Sequence, residues 1–217
     1  MNSDICISTN RIMSLRDLEK HPPPTSFGLY SWWFEKRVIQ KLLPKIKLAG
    51  YPGYSKGWIF KKKWNLLYIG KGSNLERRIL DYHFRGDADV SSLRMSLGCI
   101  LVMELEICLW KRPRPSEGEY GYTFGAEGEE KLSRWMAENA WVRWVEMPDY
   151  DALEKKYIRQ YAPLLNMDDN PHLFRPLKDL RSQLKECAKL KGEKPPWKCV
   201  KAAYERFKEQ CRNYSSD

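Results

Sequence analysis

The sequence predicts an α/β fold, and three features of the chain support this prediction. Apolar runs rich in aromatic and β-branched residues lie at 27–34 and 66–69, and residues 141–146 alternate apolar and polar side chains. Both patterns are typical of strands. Longer segments between and after these runs carry helix start and stop signals. The run 66–69 passes through two glycines directly into one of those helices.

The stretch that organises the prediction is 64–83, WNLLYIGKGSNLERRILDYH. Gly70 and Gly72 end the strand and allow a tight turn. The four residues 73–76, SNLE, match a capping box, which predicts that a helix begins there. On an α-helix the apolar Leu75 and Ile79 lie on one stripe, which His83 continues.

The same helix carries candidate chemistry on another face. Arg78 and Tyr82 are four residues apart and therefore neighbours on an α-helix. Lys71 lies at the corner between strand and helix, where the N-terminus of a helix favours anions. The unit thus directs a phenol, an ammonium group and a guanidinium group toward one spot. This combination predicts a phosphate-binding site.

The other elements follow in chain order. Residues 1–26 form an extension with a short helix before three consecutive prolines, and the strand 27–34 forms a hairpin with 66–69. The segment 89–110 is mainly helical, with a strand over 99–103 left open as an alternative. We predict a loop at 111–125, helices at 127–139 and from 149 to 161, a strand at 141–146, and two helices in the tail with a break at 191–196.

The two strands of the hairpin are separated by about thirty residues, far more than an ordinary hairpin loop of about two to five, so 35–63 is an insertion. Between Glu35 and Lys63 the chain has nine basic residues and one acidic residue, with tyrosines, Trp58 and Phe60 between them. Basic and aromatic side chains together suit a nucleic-acid strand. A packed aromatic cluster with a solvated rim is the alternative. From this stretch we select Lys61, Lys62, Lys63 and Trp58 as contacts, and Arg94 from the following helix.

The remaining charge lies mostly in the tail, which has twelve basic and six acidic residues from Arg175 to Asp217, in a chain of net charge +10. Positive charge in two blocks favours a polyanionic partner, with solubilising charge as the alternative. No stretch resembles a signal peptide or a long apolar span, so we expect no membrane association and a cytoplasmic protein with reduced thiols. Cys187, Cys199 and Cys211 recur every twelve residues, which does not place them on one helix face, and we expect no zinc site.

Several of these residues occur in a pattern that resembles the GIY-YIG nuclease superfamily. The two tripeptides are Gly28-Leu29-Tyr30, which has Leu for the usual Ile, and Tyr68-Ile69-Gly70. The pattern continues through Lys71, Asn74, Leu75, Arg78, Tyr82, Glu154 and Asn166. It is most similar to the N-terminal nuclease domain of the bacterial excision-repair nuclease, because Tyr82 stands where phage homing endonucleases have a histidine. The resemblance does not extend to 111–125 or to the tail.

The resemblance implies a small three-stranded antiparallel sheet flanked by helices, here with a basic insertion in the first hairpin and a helical C-terminal tail. The implied domain is 27–170, with insertions 35–63 and 111–139, followed by the tail 171–217. The implied activity is hydrolysis of phosphodiester bonds in DNA with one divalent metal, Mg²⁺ or Mn²⁺. The implied site is Tyr30, Tyr68, Lys71, Arg78, Tyr82, Glu154 and Asn166, with Glu154 as the metal ligand.

Residue chemistry agrees with these roles. A carboxylate such as Glu154 binds Mg²⁺ through oxygen while water and phosphate complete the shell. Arg78 suits the non-bridging phosphate oxygens. A free tyrosine, with a pKa near 10, is a poor base, and we expect Lys71, Arg78 and a metal to lower that pKa. We favour Tyr30 as the general base and Tyr68 as the residue that orients water, with the reverse assignment open.

Each assignment has a structural alternative. The two tyrosines are candidates for core aromatics, Asp151 and Glu154 for a capping pair, and Arg78 for a surface ion pair with a helix neighbour. We expect Asn166 to brace the site rather than touch substrate, and His83 to be structural.

Three classes of function follow. The first is a metal-dependent DNA endonuclease in restriction, anti-phage defence or repair. The second is a nucleic-acid-binding module without catalysis, which the presence of Tyr30, Tyr68, Arg78 and Glu154 disfavours. The third is a structural protein whose basic blocks bind a protein partner.

Overall fold

The structure is a computed structural model that describes residues 12–43, 60–61, 64–116, 118–190, 192–193 and 195–214. Its strands are β1 Met13–Ser14, β2 Gly28–Glu35, β3 Phe60–Lys61, β4 Trp64–Gly72, β5 Trp110–Pro113, β6 Tyr120–Thr123, β7 Ala140–Glu146 and β8 Lys189–Leu190. Its helices are α1 Leu15–Lys20, α2 Lys36–Leu42, α3 Arg77–Phe84, α4 Ser92–Leu101, α5 Gly125–Asn139, α6 Tyr150–Tyr161, α7 Arg175–Cys187 and α8 Trp197–Asn213. In α3 the hydrogen bonds reach the fifth residue, which makes it a π-helix.

The main sheet is antiparallel, with strand order β1-β7-β2-β4-β3. The three strands predicted from the sequence form its centre, but the prediction of a three-stranded sheet is wrong, because the described residues include β1 and β3 at its edges. Each of these edge strands has only two residues, too few to produce an alternating pattern. All eight residues of β2 are buried, since helices cover both faces of the sheet.

A β-bulge interrupts the pairing of β2 and β4 next to the residues of the candidate site. The pairing shifts between Trp32, opposite Tyr68, and Trp33, opposite Leu66. Leu67 is the extra residue, and a bulge of this kind interrupts the alternation of side chains. Leu67 consequently packs on the same side of the sheet as its neighbour Tyr68, in the core that also contains Tyr30, and the carbonyl of Leu67 accepts a hydrogen bond from the Leu165 amide at 2.9 Å.

A second sheet contradicts the loop predicted at 111–125. Strands β5 and β6 form an antiparallel hairpin, and β8 adds to β5 in parallel. Local sequence pattern does not predict these strands, since β5 is charged and ends in proline, and its other partner lies far along the chain. The helix predicted over 89–110 is also shorter, because α4 ends at Leu101 and turns follow.

The two tail helices belong to the main core. Leu177, Leu180 and Leu184 of α7 and Phe207 of α8 are buried together with the residues under the sheet. Arg181 of α7 also donates a hydrogen bond to the Ser96 hydroxyl of α4 at 3.1 Å. The tail is therefore packed against the domain along its apolar stripe, which leaves its charged residues on the outside.

The cysteines differ from the expected reduced state. Cys187 and Cys199 form a disulfide with their Cα atoms 5.7 Å apart, and Cys99, Cys108 and Cys211 are free and buried. The twelve-residue spacing separates two cysteines on a continuous helix by about 18 Å. The break between α7 and α8 folds the chain back and brings these two together. Among the described residues, no helix is long and apolar enough to cross a membrane.

Candidate active site

A cleft of about 460 Å³ lies at the end of β2 and β4, between α3 and α6. It collects six of the seven predicted catalytic residues: Tyr30, Tyr68, Lys71, Arg78, Tyr82 and Glu154. The other lining residues are Gly72, Ser73, Asn74, Arg77, Tyr150 and Asp151. Strand, turn and two helices thus converge on one concave surface that carries both cationic and acidic groups.

The floor of the cleft is formed by two tyrosines from neighbouring strands. The rings of Tyr30 and Tyr68 are stacked with centroids 6.4 Å apart. Tyr30 faces Gly70 across the strands, and a Cβ at Gly70 would come within 2.3 Å of the Tyr30 hydroxyl, so only glycine leaves room for the phenol. Tyr68 lines the cleft beside Tyr30.

The ionisation of both tyrosines differs from the expectation. Burial raises the pKa of Tyr30 well above its ordinary value and raises the pKa of Tyr68 to about 12. Arg78 acts in the opposite direction on both groups but is outweighed by the loss of solvent. Both phenols are therefore protonated at neutral pH. A tyrosine in this site accepts a proton only if it gives up its own.

A group that can take that proton lies beside Tyr30. The Tyr30 hydroxyl is 2.5 Å from Nε2 of His83 and accepts a hydrogen bond from Nε of Arg78 at 3.3 Å. Nδ1 of His83 lies 2.7 Å from the Ser91 hydroxyl. Burial, with help from Arg78 and Arg94, holds the pKa of His83 well below its ordinary value, so the ring is neutral. With its proton on Nδ1, the ring donates to Ser91 and accepts from Tyr30.

The π-helix brings His83 to Tyr30, which the spacing of residues along an α-helix does not predict. On an α-helix, residues five apart are rotated by about 140°, so Arg78 and His83 would face different ways. Bonding to the fifth residue widens the turn and brings residues five apart to nearly the same side. Both side chains consequently reach the Tyr30 hydroxyl. Tyr82 instead lines the cleft wall with the Arg78 guanidinium 5.4 Å from its ring centre.

The opposite wall holds a cation between two carboxylates. Nζ of Lys71 is 2.7 Å from Oδ1 of Asp151 and 3.0 Å from Oε2 of Glu154. These two carboxylates raise the pKa of Lys71 above its ordinary value. Burial raises the pKa of Glu154, and the Lys71 ammonium opposes that rise without cancelling it. Asp151 is largely exposed and Glu154 largely buried, so a capping pair alone does not describe this arrangement.

This donor set fits a magnesium-type metal. Carboxylate oxygens are the ligands that Mg²⁺ prefers, and it is usually held by one or two of them with water and phosphate completing the shell. Asp151 and Glu154 already hold one cation between them. No group of three or more His, Cys, Asp or Glu side chains suited to a metal occurs in the described part of the chain, so a closed structural site is absent there.

Asn166 lies behind the cleft rather than in it. Its amide oxygen accepts from the Ile69 N–H at 2.9 Å and its amide nitrogen donates to the Ile69 carbonyl at 2.8 Å. Both functions of the amide are thus used to hold the strand residue next to Tyr68. The expectation that Asn166 braces the site rather than touches substrate stays a prediction, which these two bonds support.

The five residues predicted to contact nucleic acid fall into two groups. Arg94 is fully buried and forms an ion pair with Glu129 at 2.7 Å, so its selection as a nucleic-acid contact is wrong. A sequence does not distinguish a buried, paired arginine from an exposed one. Trp58, Lys62, Lys63 and the Lys61 side chain lie outside the described residues and remain predictions.

The N-terminus of α3 does not offer free donors to an anion. The amides of Leu75 and Glu76 donate to the carbonyls of Ser26 and Pro24 at 2.9 and 3.0 Å. The Arg77 amide donates to Oδ1 of Asn74 at 2.8 Å, so the side-chain cap comes from Asn74 and not from Ser73 as the SNLE capping box predicts, because the Glu76 amide is bonded to Pro24. The cationic side chains of the cleft, rather than a helix end, therefore carry its affinity for anions.

Comparison with protein families decides the relationship. A model of the GIY-YIG catalytic domain matches residues 28–189. The chain belongs to the GIY-YIG family. No curated protein and no solved structure matches the chain. The GIY-YIG match begins at the first residue of β2 and extends through α7, and the α/β architecture with its antiparallel main sheet fits the family. The two GIY-YIG tripeptides are the paired ends of β2 and β4, where Tyr30 lies opposite Gly70.

Proposed function

We propose that this chain is a metal-dependent endonuclease that hydrolyses phosphodiester bonds in DNA. The GIY-YIG family points to nucleases, and the observation that carries the finer proposal is the cleft itself. It combines a phenol with a proton acceptor behind it, a guanidinium group and a pair of carboxylates within one concave surface. A protein that only binds nucleic acid has no need of a buried histidine bonded to a tyrosine hydroxyl.

The metal has a defined place in this proposal. Asp151 and Glu154 would hold it, and when bound it would neutralise charge on the phosphate and on the leaving 3′ oxygen. GIY-YIG nucleases generally use divalent metals, and Mg²⁺ or Mn²⁺ suits two carboxylates. Lys71 brings further positive charge to the same end of the cleft.

Tyr30 activates the attacking water through His83. As the water gives a proton to the Tyr30 oxygen, the Tyr30 O–H passes its own proton to Nε2 of His83, 2.5 Å away. The resulting hydroxide attacks phosphorus and the bond from phosphorus to the 3′ oxygen breaks. This route agrees with a tyrosine whose pKa is raised, since the tyrosine never has to ionise alone. The Tyr68 hydroxyl orients the water from the neighbouring strand.

Arg78 stabilises the charge that develops on the phosphate. Its Nε is engaged by Tyr30 and one terminal nitrogen donates to the Val90 carbonyl at 3.2 Å. These two bonds fix the guanidinium plane at the cleft while its remaining N–H groups stay available for non-bridging oxygens. Donors fixed before the reaction stabilise a transition state most effectively.

The biological setting that we propose is restriction, anti-phage defence or repair inside the cytoplasm. The support is the motif pattern shared with the excision-repair subgroup, including Tyr82 in the cleft.

Incubation of the protein with supercoiled plasmid and Mg²⁺ tests the proposal. We expect nicked or linear product, none in EDTA, and none with Glu154→Ala. This variant should bind DNA at least as tightly as the wild type, because it lacks a carboxylate facing phosphate. Glu127→Ala is the matched control, since Glu127 is an exposed acid on α5 that pairs with Lys131 in its own helix. Cleavage by Glu154→Ala at the wild-type rate would contradict the assignment.

A further inference from the structure

An exposed aromatic side chain stands at the rim of the cleft. Phe27 precedes β2 directly and is 46% exposed, which is unusual for a ring of this size. Its ring is stacked on that of Tyr150, with centroids 5.9 Å apart and planes 24° apart. Tyr150 lines the cleft and is followed immediately by Asp151. The aromatic pair is thus continuous with the wall that carries the two carboxylates.

The backbone around Phe27 is held in place from both sides. The carbonyls of Pro24 and Ser26 accept hydrogen bonds from the first amides of the turn into α3. The Ser26 hydroxyl donates to Glu146 at 2.6 Å, and the Phe27 carbonyl accepts from the Met147 amide at 3.3 Å. A segment with this many bonds presents its side chain in one orientation. The exposure of Phe27 is therefore a feature of an ordered surface and not of a loose end.

We propose that Phe27 and Tyr150 form a stacking platform for an unpaired base next to the phosphate that is cut. This inference rests on the proposed function. A base inside a duplex is stacked on its neighbours and has no free face for a protein ring, so the platform selects a strand that is single, frayed or locally opened. Base–aromatic stacking is a main source of affinity for single strands.

Charge at the cleft favours nucleic acid over a protein segment as the occupant. Lys71, Arg77 and Arg78 line the same surface as Tyr150. A strand bound there satisfies both sets of groups at once, since its phosphates pair with cations while its base covers the ring. An apolar protein segment would satisfy only the ring.

The test measures binding in EDTA, so that cleavage does not interfere. The probe is a short oligonucleotide carrying a fluorescent purine analogue at an unpaired position, compared with the same analogue in a fully paired duplex. We expect wild-type protein to quench the unpaired analogue. Phe27→Ala and Tyr150→Ala should each weaken binding of the unpaired probe about 10-fold or more and reduce the quenching. Binding of the paired duplex should change little.

Two further variants separate stacking from general effects. Phe27→Leu keeps an apolar side chain and loses the ring, so it should behave like Phe27→Ala, whereas Phe27→Trp should retain quenching. Tyr120→Ala is the matched control, because Tyr120 is 42% exposed but lies on the β5–β6 hairpin and is not among the residues that line the cleft.

The outcomes distinguish this inference from the proposed function. If wild-type protein cuts plasmid but the Phe27 and Tyr150 variants bind the unpaired probe as tightly as Tyr120→Ala does, the platform is wrong and the nuclease assignment stands. If the Phe27 and Tyr150 variants lose affinity equally for the paired duplex and for the unpaired probe, the platform is also overturned. Wild-type protein that neither cuts plasmid nor binds either probe overturns both.

Discussion

The Tyr30 hydroxyl lies at the centre of the candidate active site. It meets Arg78 on one side and His83 on the other, and both come from the same short helix. Arg78 favours the ionised phenol, whereas burial disfavours it more strongly and raises the pKa. Nε2 of the neutral His83 ring lies 2.5 Å from the Tyr30 hydroxyl and can take the phenol's proton while the phenol accepts another. The phenol therefore does not have to carry a negative charge.

Removal of either hydroxyl should separate chemistry from folding. Tyr30→Phe and Tyr68→Phe keep the ring volume and remove only one oxygen, so the fold should persist. Loss of a base or of a water-orienting group predicts a fall in the cleavage rate of about 100-fold or more in at least one variant. Single-turnover cleavage of plasmid measures this. Rates near wild type in both variants would exclude the proposed proton route.

His83 should also be visible in the pH dependence of stability. Its pKa is held well below the ordinary value of about 6.5 in the folded state. Below pH of about 6.5 the unfolded chain therefore takes up a proton that the folded chain refuses, and the free energy of unfolding falls by up to about 1.4 kcal/mol per pH unit. Above that pH both states are neutral and the effect disappears.

Urea unfolding of the wild type and of His83→Gln at pH values below and above about 6.5 measures how much His83 contributes to the pH dependence of the free energy of unfolding. Glutamine can keep a polar group near Tyr30 but does not titrate, so the variant should lack this part of the acid slope even if it is less stable overall. Identical slopes would show that His83 is accessible to protons in the folded state. His172→Gln is the control, because His172 is exposed.

At the scale of elements, α3 is fixed from behind by a buried ion pair. Arg94 donates to the carbonyls of His83 and Phe84 at 3.2 and 2.8 Å and pairs with Glu129. Glu129 also accepts from the amides of Ala88 and Phe124, each at 2.9 Å. The end of α3, the segment after it, α4 and α5 thus share one polar centre. We infer that this centre sets the position of His83 relative to Tyr30.

Glu129→Gln should therefore be costly. The variant keeps the shape of the side chain but leaves the guanidinium of Arg94 buried without its counter-charge. Breaking one partner of a buried pair lowers the free energy of unfolding by about 3–5 kcal/mol, and chemical denaturation measures it. Glu130→Gln, one residue along α5, removes only an exposed contact with Arg134 at 3.8 Å and should change stability by less than about 1 kcal/mol. Equal effects in both variants would contradict the argument.

At the scale of the whole molecule, the basic insertion 35–63 remains a prediction for gripping the nucleic-acid backbone. Each phosphate contact releases condensed counterions, so the logarithm of the binding constant falls with the logarithm of salt by about 0.9 per contact on duplex DNA. Neutralising Lys61, Lys62 and Lys63 together should flatten that slope by up to about 2–3 units for all sequences alike. Turnover at saturating DNA should change little. A salt slope equal to that of wild type would assign this block to solvent or to a protein partner.

The tail has a different relation to the domain than its composition indicated. Its net positive charge suggested an appendage that meets a polyanion, but its leucines complete the core and Arg181 bonds to α4. An apolar stripe along a helix indicates that this face of the helix is buried. The stripe does not indicate which neighbour buries it, since the neighbour lies about eighty residues earlier in the chain.

The sequence by itself determined the α/β class, the three central strands, the glycine-marked turn, and a list of candidate residues of which six share one cleft. These features depend on local pattern, since apolar periodicity and glycine are properties of adjacent residues. Only the tertiary structure decided that the pairing of β2 and β4 places Tyr68 beside Tyr30, that a π-helix brings His83 to the same hydroxyl, that Asp151 shares Lys71 with Glu154, and that Arg94 is buried. Each of these depends on strand register or on a partner far along the chain, and no local pattern specifies either.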